Sequence, residues 1–311
     1  MIEGVVPILP TPFAKSGGVE YHEISALVEF GIHARVSAIG TPAFGSEFYK
    51  LDGIERQKII ETVLLAVNRR IPVIIQCNHH YPEVAARMAS EAEKMGATVV
   101  NTALPRAFAS SSRHLLDYAR RVCDSVSLPV VVQDWNPAGK AEGLDFIVAL
   151  HQACPNFRYF KYEEPGLGPL CRDIMRETDG RVRVFSGWGG SYVLEQIPAG
   201  LCGVMPGLAL ADWHGLIWEA AKAEDWPRAF GLFADISPYM QFSLQTFEQF
   251  HHAEKQVLAR RGILQSAVVR PITIELNSDA QAYLEKLMDH LERRFAICPE
   301  ACWARKPHPQ Q

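Results

Sequence analysis

The stretch FRYFKYEEPG, Phe157–Gly166, is a short apolar, aromatic-rich run with a lysine near its end and a Pro-Gly stop after it. Its length and residue types predict a β-strand. A lysine ammonium in a buried strand is costly unless it is paired, solvated or neutral. A neutral amine in a wet pocket is a nucleophile for ketones. Lys161 is therefore either an ordinary strand-end lysine turned to solvent or a reactive one, and the rest of the chain has to decide.

Seven further runs of the same kind flank it: GVVPILP from Gly4, VSAIGT from Val36, PVIIQCN from Pro72, ATVVNTAL from Ala97, LPVVVQD from Leu128, VRVFSG from Val182 and GLCGVMPG from Gly200. Most are rich in Val and Ile without strict alternation, as parallel strands covered on both faces are. Amphipathic segments lie between them. DGIERQKIIETVLLAVN opens at Asp52, a good N-cap, and YPEVAARMASEAEKMG ends at Gly96, a helix stop. Eight βα units in series predict an α/β fold, a (β/α)8 TIM barrel. A doubly wound sheet is the alternative, but no GxGxxG follows the first strand. After Gly207 the strands cease and the pattern is helical almost throughout, with Pro227 and Pro238 expected to start or break helices. The expected division is a barrel over 1–210, a C-terminal helical extension over 211–298 capping it, and a polar tail over 299–311.

Composition narrows the function. The chain has 311 residues, 48% hydrophobic and 21% charged, with a net charge of -4. That suits a globular protein with a sizeable core and no basic field, so neither nucleic acid nor membrane is an expected partner. No stretch reads as a membrane span, and MIEGVVPILPTPF lacks the basic start and long apolar core of a signal peptide, which points to the cytoplasm. The seven cysteines form no CxxC pair, so free thiols are expected and no metal site.

At the strand ends the chain resembles the dihydrodipicolinate synthase / N-acetylneuraminate lyase family of Schiff-base enzymes. GVVPILPTPF is similar to that family's opening strand, GSEFYKLDGIER to the segment after its second strand, YFKYEEPG to the sixth strand with the imine-forming lysine, and FSGWGGSYVLEQIPAGLCGVMPG to its seventh and eighth strands. The resemblance runs over roughly residues 1–295. It implies the same barrel with a helical bundle, catalysis through a covalent imine on Lys161 with no other cofactor, a small 2-oxo acid as substrate, and a homotetramer.

The departures matter as much. Where the family has paired hydroxyl residues after the second strand, this chain has Ala43, Phe44, Gly45, Ser46 and Glu47. Where the family has a catalytic tyrosine, four residues after a proline on the fifth strand, this chain has Gln133. An amide cannot shuttle protons as a phenol can. The variant pattern resembles the branch that includes 2-keto-3-deoxy sugar acid dehydratases, L-2-keto-3-deoxyarabonate dehydratases among them. CNHHYPEVAARMA and HHAEKQVLARRGI look like segments of that branch.

The residues then sort by chemistry. Lys161 is the expected nucleophile. Glu163, two residues on, shares its strand face and either moves a C3 proton or pairs with the lysine. His80 either protonates a leaving hydroxyl or, with His79, is an ordinary polar loop residue. Gln133 and Asp134 are candidates for substrate hydroxyls, Asp134 equally for capping the next loop. By resemblance to the family's loop, Gly45 and Ser46 are candidates for the substrate carboxylate, with Lys140 as a further candidate cation or an ordinary solvated loop lysine. Gly187, with Gly189 and Gly190, lets backbone approach the substrate or turn sharply. Trp135 and Trp188 are candidate pocket walls, Trp213 and Trp218 core or interface. The expected activity is dehydration of a 2-keto-3-deoxy sugar acid. The alternatives are aldol cleavage of a related 2-oxo acid to pyruvate and an aldehyde, and a non-catalytic 2-oxo acid binding protein.

Overall fold

The computed structural model describes residues 1–106, 110–137, 139–166, 168–298 and 300–301. Most of the expected 299–311 tail lies outside that set. Among the described residues eight strands alternate with helices. The strands are β1 (Gly4–Val5), β2 (Ile39–Thr41), β3 (Val73–Gln76), β4 (Val99–Ala103), β5 (Val130–Asp134), β6 (Phe157–Tyr162), β7 (Arg183–Ser186) and β8 (Gly203–Val204). Each falls inside one of the eight apolar runs. By contacts the chain divides into two units, Met1–Gly4 with Pro72–Met205, and Val5–Ile71 with Pro206–Gln311.

The first unit is a parallel sheet in the order β8-β7-β6-β5-β4-β3. β3, β4 and β5 are buried at every position, which explains their lack of alternation. The N-terminal residues close on its far edge: Gly4 N–H donates to Cys202 C=O at 2.8 Å, and Ile2 N–H to the Tyr159 hydroxyl at 2.8 Å. Helices return the chain between strands: α3 (Pro82–Met95), α4 (Ser112–Cys123), α5 (Leu144–Ala153), α6 (Gly168–Glu177) and the one-turn α7 (Val193–Gln196). Pro82 starts α3, and Gly96 ends it at φ 102°, a conformation glycine adopts without strain.

The second unit holds β2, α1 (Ile24–His33), α2 (Gly53–Val67) and four C-terminal helices, α8 (Ala211–Lys222), α9 (Trp226–Ser243), α10 (Phe247–Arg260) and α11 (Ser278–Ala296). Ile8 bridges in parallel to both Gly40 and Gly207. Asp52 caps α2 as expected: its carboxylate accepts from Glu55 N–H at 2.8 Å, and Glu55 answers by accepting from Asp52 N–H at 3.2 Å. Trp213 is core, with its indole N–H on Leu232 C=O at 2.8 Å and its ring 4.6 Å from that of Phe295. Arg261 is fully buried, paired with Asp212 at 2.6 Å and placed over Phe30 and Phe295.

Pro227 opens α9 as expected, but Pro238 lies inside that helix and does not end it. A proline inside a helix costs about 3 kcal/mol through its missing N–H and its clash. The buried face of Ile236, Tyr239, Met240 and Phe242 offsets that and carries the helix through.

Candidate active site

Lys161 lies near the C-terminal end of β6, level with Gln133 of β5 and Phe185 of β7. It is 6% exposed, so it is not the solvent-facing lysine of the alternative reading. Strand alternation puts Tyr159, Lys161 and the residue just past the strand, Glu163, in one line. The geometry agrees: Lys161 Nζ sits 3.2 Å from Glu163 Oε1.

Glu163 is held from several sides. Gln133 Nε2 donates to the same Oε1 at 2.6 Å, and Trp188 N–H donates to Oε2. Trp188 reaches that position with φ 44°, a left-handed conformation that a bulky residue adopts only when its surroundings impose it. It is thus the backbone of Trp188 that contacts the cluster. A Cβ on Gly187 would stand 1.9 Å from Glu163 Oε2, so the glycine leaves the space the carboxylate fills. Behind Gln133 a residue that sequence reasoning passed over completes the line: Gln76 Nε2, at the end of β3, donates to Gln133 Oε1 at 3.0 Å. Its only signal was a polar residue closing the buried run PVIIQCN.

Asp134 is fully buried and its carboxylate is spent on the scaffold. Arg106 Nε donates to Oδ1 at 2.8 Å and Arg106 Nη2 to Oδ2 at 2.6 Å, while Glu142 N–H donates to Oδ2 at 2.7 Å. The bond from Glu142 N–H ties the loop after β5 to the strand end. Arg106, not foreseen, also pairs with Glu142 at 3.2 Å. The neighbouring phenol, Tyr162, donates to Glu164 at 3.3 Å, and burial followed by that carboxylate pushes its pKa up to about 12. His79 and His80 are exposed in the loop after β3, and Lys140 is exposed after β5. The structure brings together Lys161, Glu163, Gln133 and Gly187.

Gly45 and Ser46 belong to the second unit. Ser46 is fully buried, and its hydroxyl donates to Leu9 C=O at 2.5 Å while accepting from Ala43 N–H at 2.9 Å. Its own N–H goes to Ala43 C=O and that of Glu47 to Phe44 C=O. The serine therefore ties the loop together. A Cβ on Gly45 would press Ile8 at 3.1 Å. Glu47, at φ 58° and fully buried, accepts from Lys255 at 2.5 Å and from Lys50 at 3.0 Å. Burial, opposed by Glu47, pulls the Lys255 pKa down to about 8.

Among the described residues no group of three or more His, Cys, Asp or Glu side chains could hold a metal ion, and no helix is long and apolar enough to cross a membrane. What the Lys161 cluster offers is an amine, a carboxylate beside it, and donors that orient the carboxylate. That set can form an imine and move a proton next to it.

Comparison with known proteins gives the same direction. The model of the dihydrodipicolinate synthetase family matches residues 1–291. An L-2-keto-3-deoxyarabonate dehydratase of Azospirillum brasilense is 26% identical over 302 residues, covering 94% of this chain and 96% of that protein. The crystal structure of the dihydrodipicolinate synthase from Rhodopseudomonas palustris superposes with a TM-score of 0.86 at 21% identity, covering 93% of this chain and 97% of that one. YagE of Escherichia coli K12, a prophage protein of the dihydrodipicolinic acid synthase family solved in complex with pyruvate, gives 0.83 at 21% identity, covering 94% and 99%.

Proposed function

The chain belongs to the dihydrodipicolinate synthetase family, whose members are lyases, and from that premise we propose that it dehydrates a 2-keto-3-deoxy sugar acid through an imine on Lys161. The observation that carries the reading is the buried Lys161–Glu163 pair with Gln133, rather than a phenol, beside it. The similarity to a sugar acid dehydratase over 94% of the chain supports the substrate class.

The chemistry follows from these side chains. The Lys161 amine adds to the C2 ketone and water leaves, giving a protonated imine. That imine acidifies C3, and Glu163 takes the C3 proton as the electron pair moves into the enamine. The enamine pair then expels the C4 hydroxyl, which leaves as water with the proton returned by Glu163. Hydrolysis frees Lys161, and an unsaturated acid carrying a C5 hydroxyl tautomerises to a dioxo acid. One carboxylate thus serves as base and then acid, so no phenol is required. The proposal includes closure of the eight strands as a (β/α)8 barrel, a homotetramer and a cytoplasmic setting, as the family resemblance implies.

The test is borohydride reduction in the presence of pyruvate, followed by peptide mass analysis, and then product analysis on a panel of 2-keto-3-deoxy sugar acids. The expected results are a reduced adduct on Lys161 and a dioxo acid product. An adduct on another residue, or none, overturns the imine. Pyruvate plus an aldehyde in place of the dioxo acid overturns the dehydration in favour of aldol cleavage.

A further inference from the structure

We propose that Gln133 and Gln76 act as a one-way relay of two amides that positions Glu163, aiming its Oε1 at the carbon that loses the proton. This rests on Glu163 being the proton carrier. Neither glutamine touches the reacting atoms, so both are positioning residues.

The polarity of the relay is dictated by chemistry. A carboxylate only accepts hydrogen bonds, so Gln133 must turn its NH2 to Glu163. Its carbonyl oxygen then points away and, at 2% exposure, needs a buried donor. Gln76 supplies it, also at 2% exposure, by reaching from β3 past β4 to β5. The residue of β4 level with Gln133 is Ala103, and the one level with Gln76 is Asn101. Leaving the Gln133 oxygen unpaired would cost about 1–3 kcal/mol, so Gln76 stabilises the orientation of Gln133 that the carboxylate requires, and Gln133 in turn holds Glu163 in place.

The relay matters most once the reaction has begun. In the free enzyme, Oε1 is shared by Gln133 Nε2 and Lys161 Nζ. Imine formation turns Lys161 Nζ into a protonated imine nitrogen with a single N–H, and substrate C3 then lies two bonds from Nζ. Gln133 Nε2 and Trp188 N–H are the observed donors that still hold the carboxylate beside the new C3. Dehydration asks Glu163 to deliver a proton as well as to take one, and a fixed oxygen serves both steps.

Gln133→Met and Gln76→Met keep side-chain length and remove the amide. Three measurements are made on each: extent of borohydride-trapped pyruvate on Lys161, exchange of the pyruvate C3 protons in D2O by NMR, and thermal melting. The relay predicts full trapping in both variants. It predicts C3 exchange slowed by about 10- to 100-fold in Gln133→Met and by about 10-fold in Gln76→Met, with the double variant no slower than Gln133→Met. Exchange within about 2-fold of wild type in a folded variant overturns the proposal, as does a parallel loss of trapping and exchange. If Gln133→Met does not fold, Gln76→Met decides by the same criteria. A wild-type protein that traps nothing on Lys161 overturns the imine reading itself, a result distinct from failure of the relay.

Discussion

Gly187→Ala puts the placement of Glu163 to a direct test. The new Cβ would stand 1.9 Å from Glu163 Oε2, 2.2 Å from Cδ and 2.5 Å from Oε1. These distances are far inside an ordinary contact of about 3.5 Å, so no shift of a few tenths of an ångström relieves them. The carboxylate is the end of a flexible side chain, so it moves rather than the backbone. It then gives up Gln133, Trp188 N–H and Lys161 together. Losing a positioned acid–base group costs about 10²- to 10⁴-fold in kcat. Folding stability should fall by about 1–3 kcal/mol, because buried partners are left unpaired. Turnover on the proposed sugar acid substrate and urea unfolding measure the two effects, and the adduct on Lys161 should still be trapped. The decisive comparison is a double variant. With Glu163→Ala there is no carboxylate to displace, and Gly187→Ala should then cost less than about 0.5 kcal/mol. A kcat within about 3-fold of wild type, or a stability loss that Glu163→Ala does not relieve, would refute the reasoning.

Three further outcomes are expected. Glu254 is buried with Ala209 N–H at 2.7 Å, and desolvation, only partly opposed by that N–H, by Leu208 N–H and by Arg261, pushes its pKa up to about 7 from a usual 4.5. The folded chain holds this proton more tightly than the unfolded one, so its contribution is complete below pH 4.5 and is lost as pH rises through 7. The loss is on the order of 3 kcal/mol, and Glu254→Gln should flatten the stability profile over that window in urea titrations; an unchanged slope would contradict it. Asp52→Ala should cost about 1 kcal/mol in the same assay and Asp52→Asn a fraction of that, because the N-cap of α2 needs an acceptor oxygen. His80→Gln should keep kcat within about 3-fold across pH 6–8, since the proposal gives the proton to Glu163; a larger loss would return His80 to the mechanism.

Much of the fold was legible because parallel strands and their helices are written locally. The eight runs need only β-branched and aromatic residues in short blocks, and Asp52 and Gly96 mark helix ends by their own side chains or lack of one. The Lys161–Glu163 pair was legible for the same reason, since a spacing of two in a strand fixes a shared face. Pro238 was misread because its local effect is unfavourable and only the packing of α9 overrides it. The fates of Asp134 and Ser46 were open because each depends on which distant backbone or guanidinium arrives beside it. Arg106 is 28 residues from Asp134, and Leu9 is 37 from Ser46.

By itself, then, the sequence determined the alternation of strands and helices, the candidate nucleophile and the absence of a phenol at position 133. Each of these is a property of one residue or one short periodic segment. Only the tertiary structure decided what stands around the lysine: Gln76, 57 residues from Gln133, behind the amide, the Trp188 N–H aimed at Glu163 from the turn after β7, and the empty Cβ position of Gly187 that admits the carboxylate. Hydrogen bonds require partners within about 3 Å in a set direction. No pattern along the chain encodes that distance until the strands are side by side.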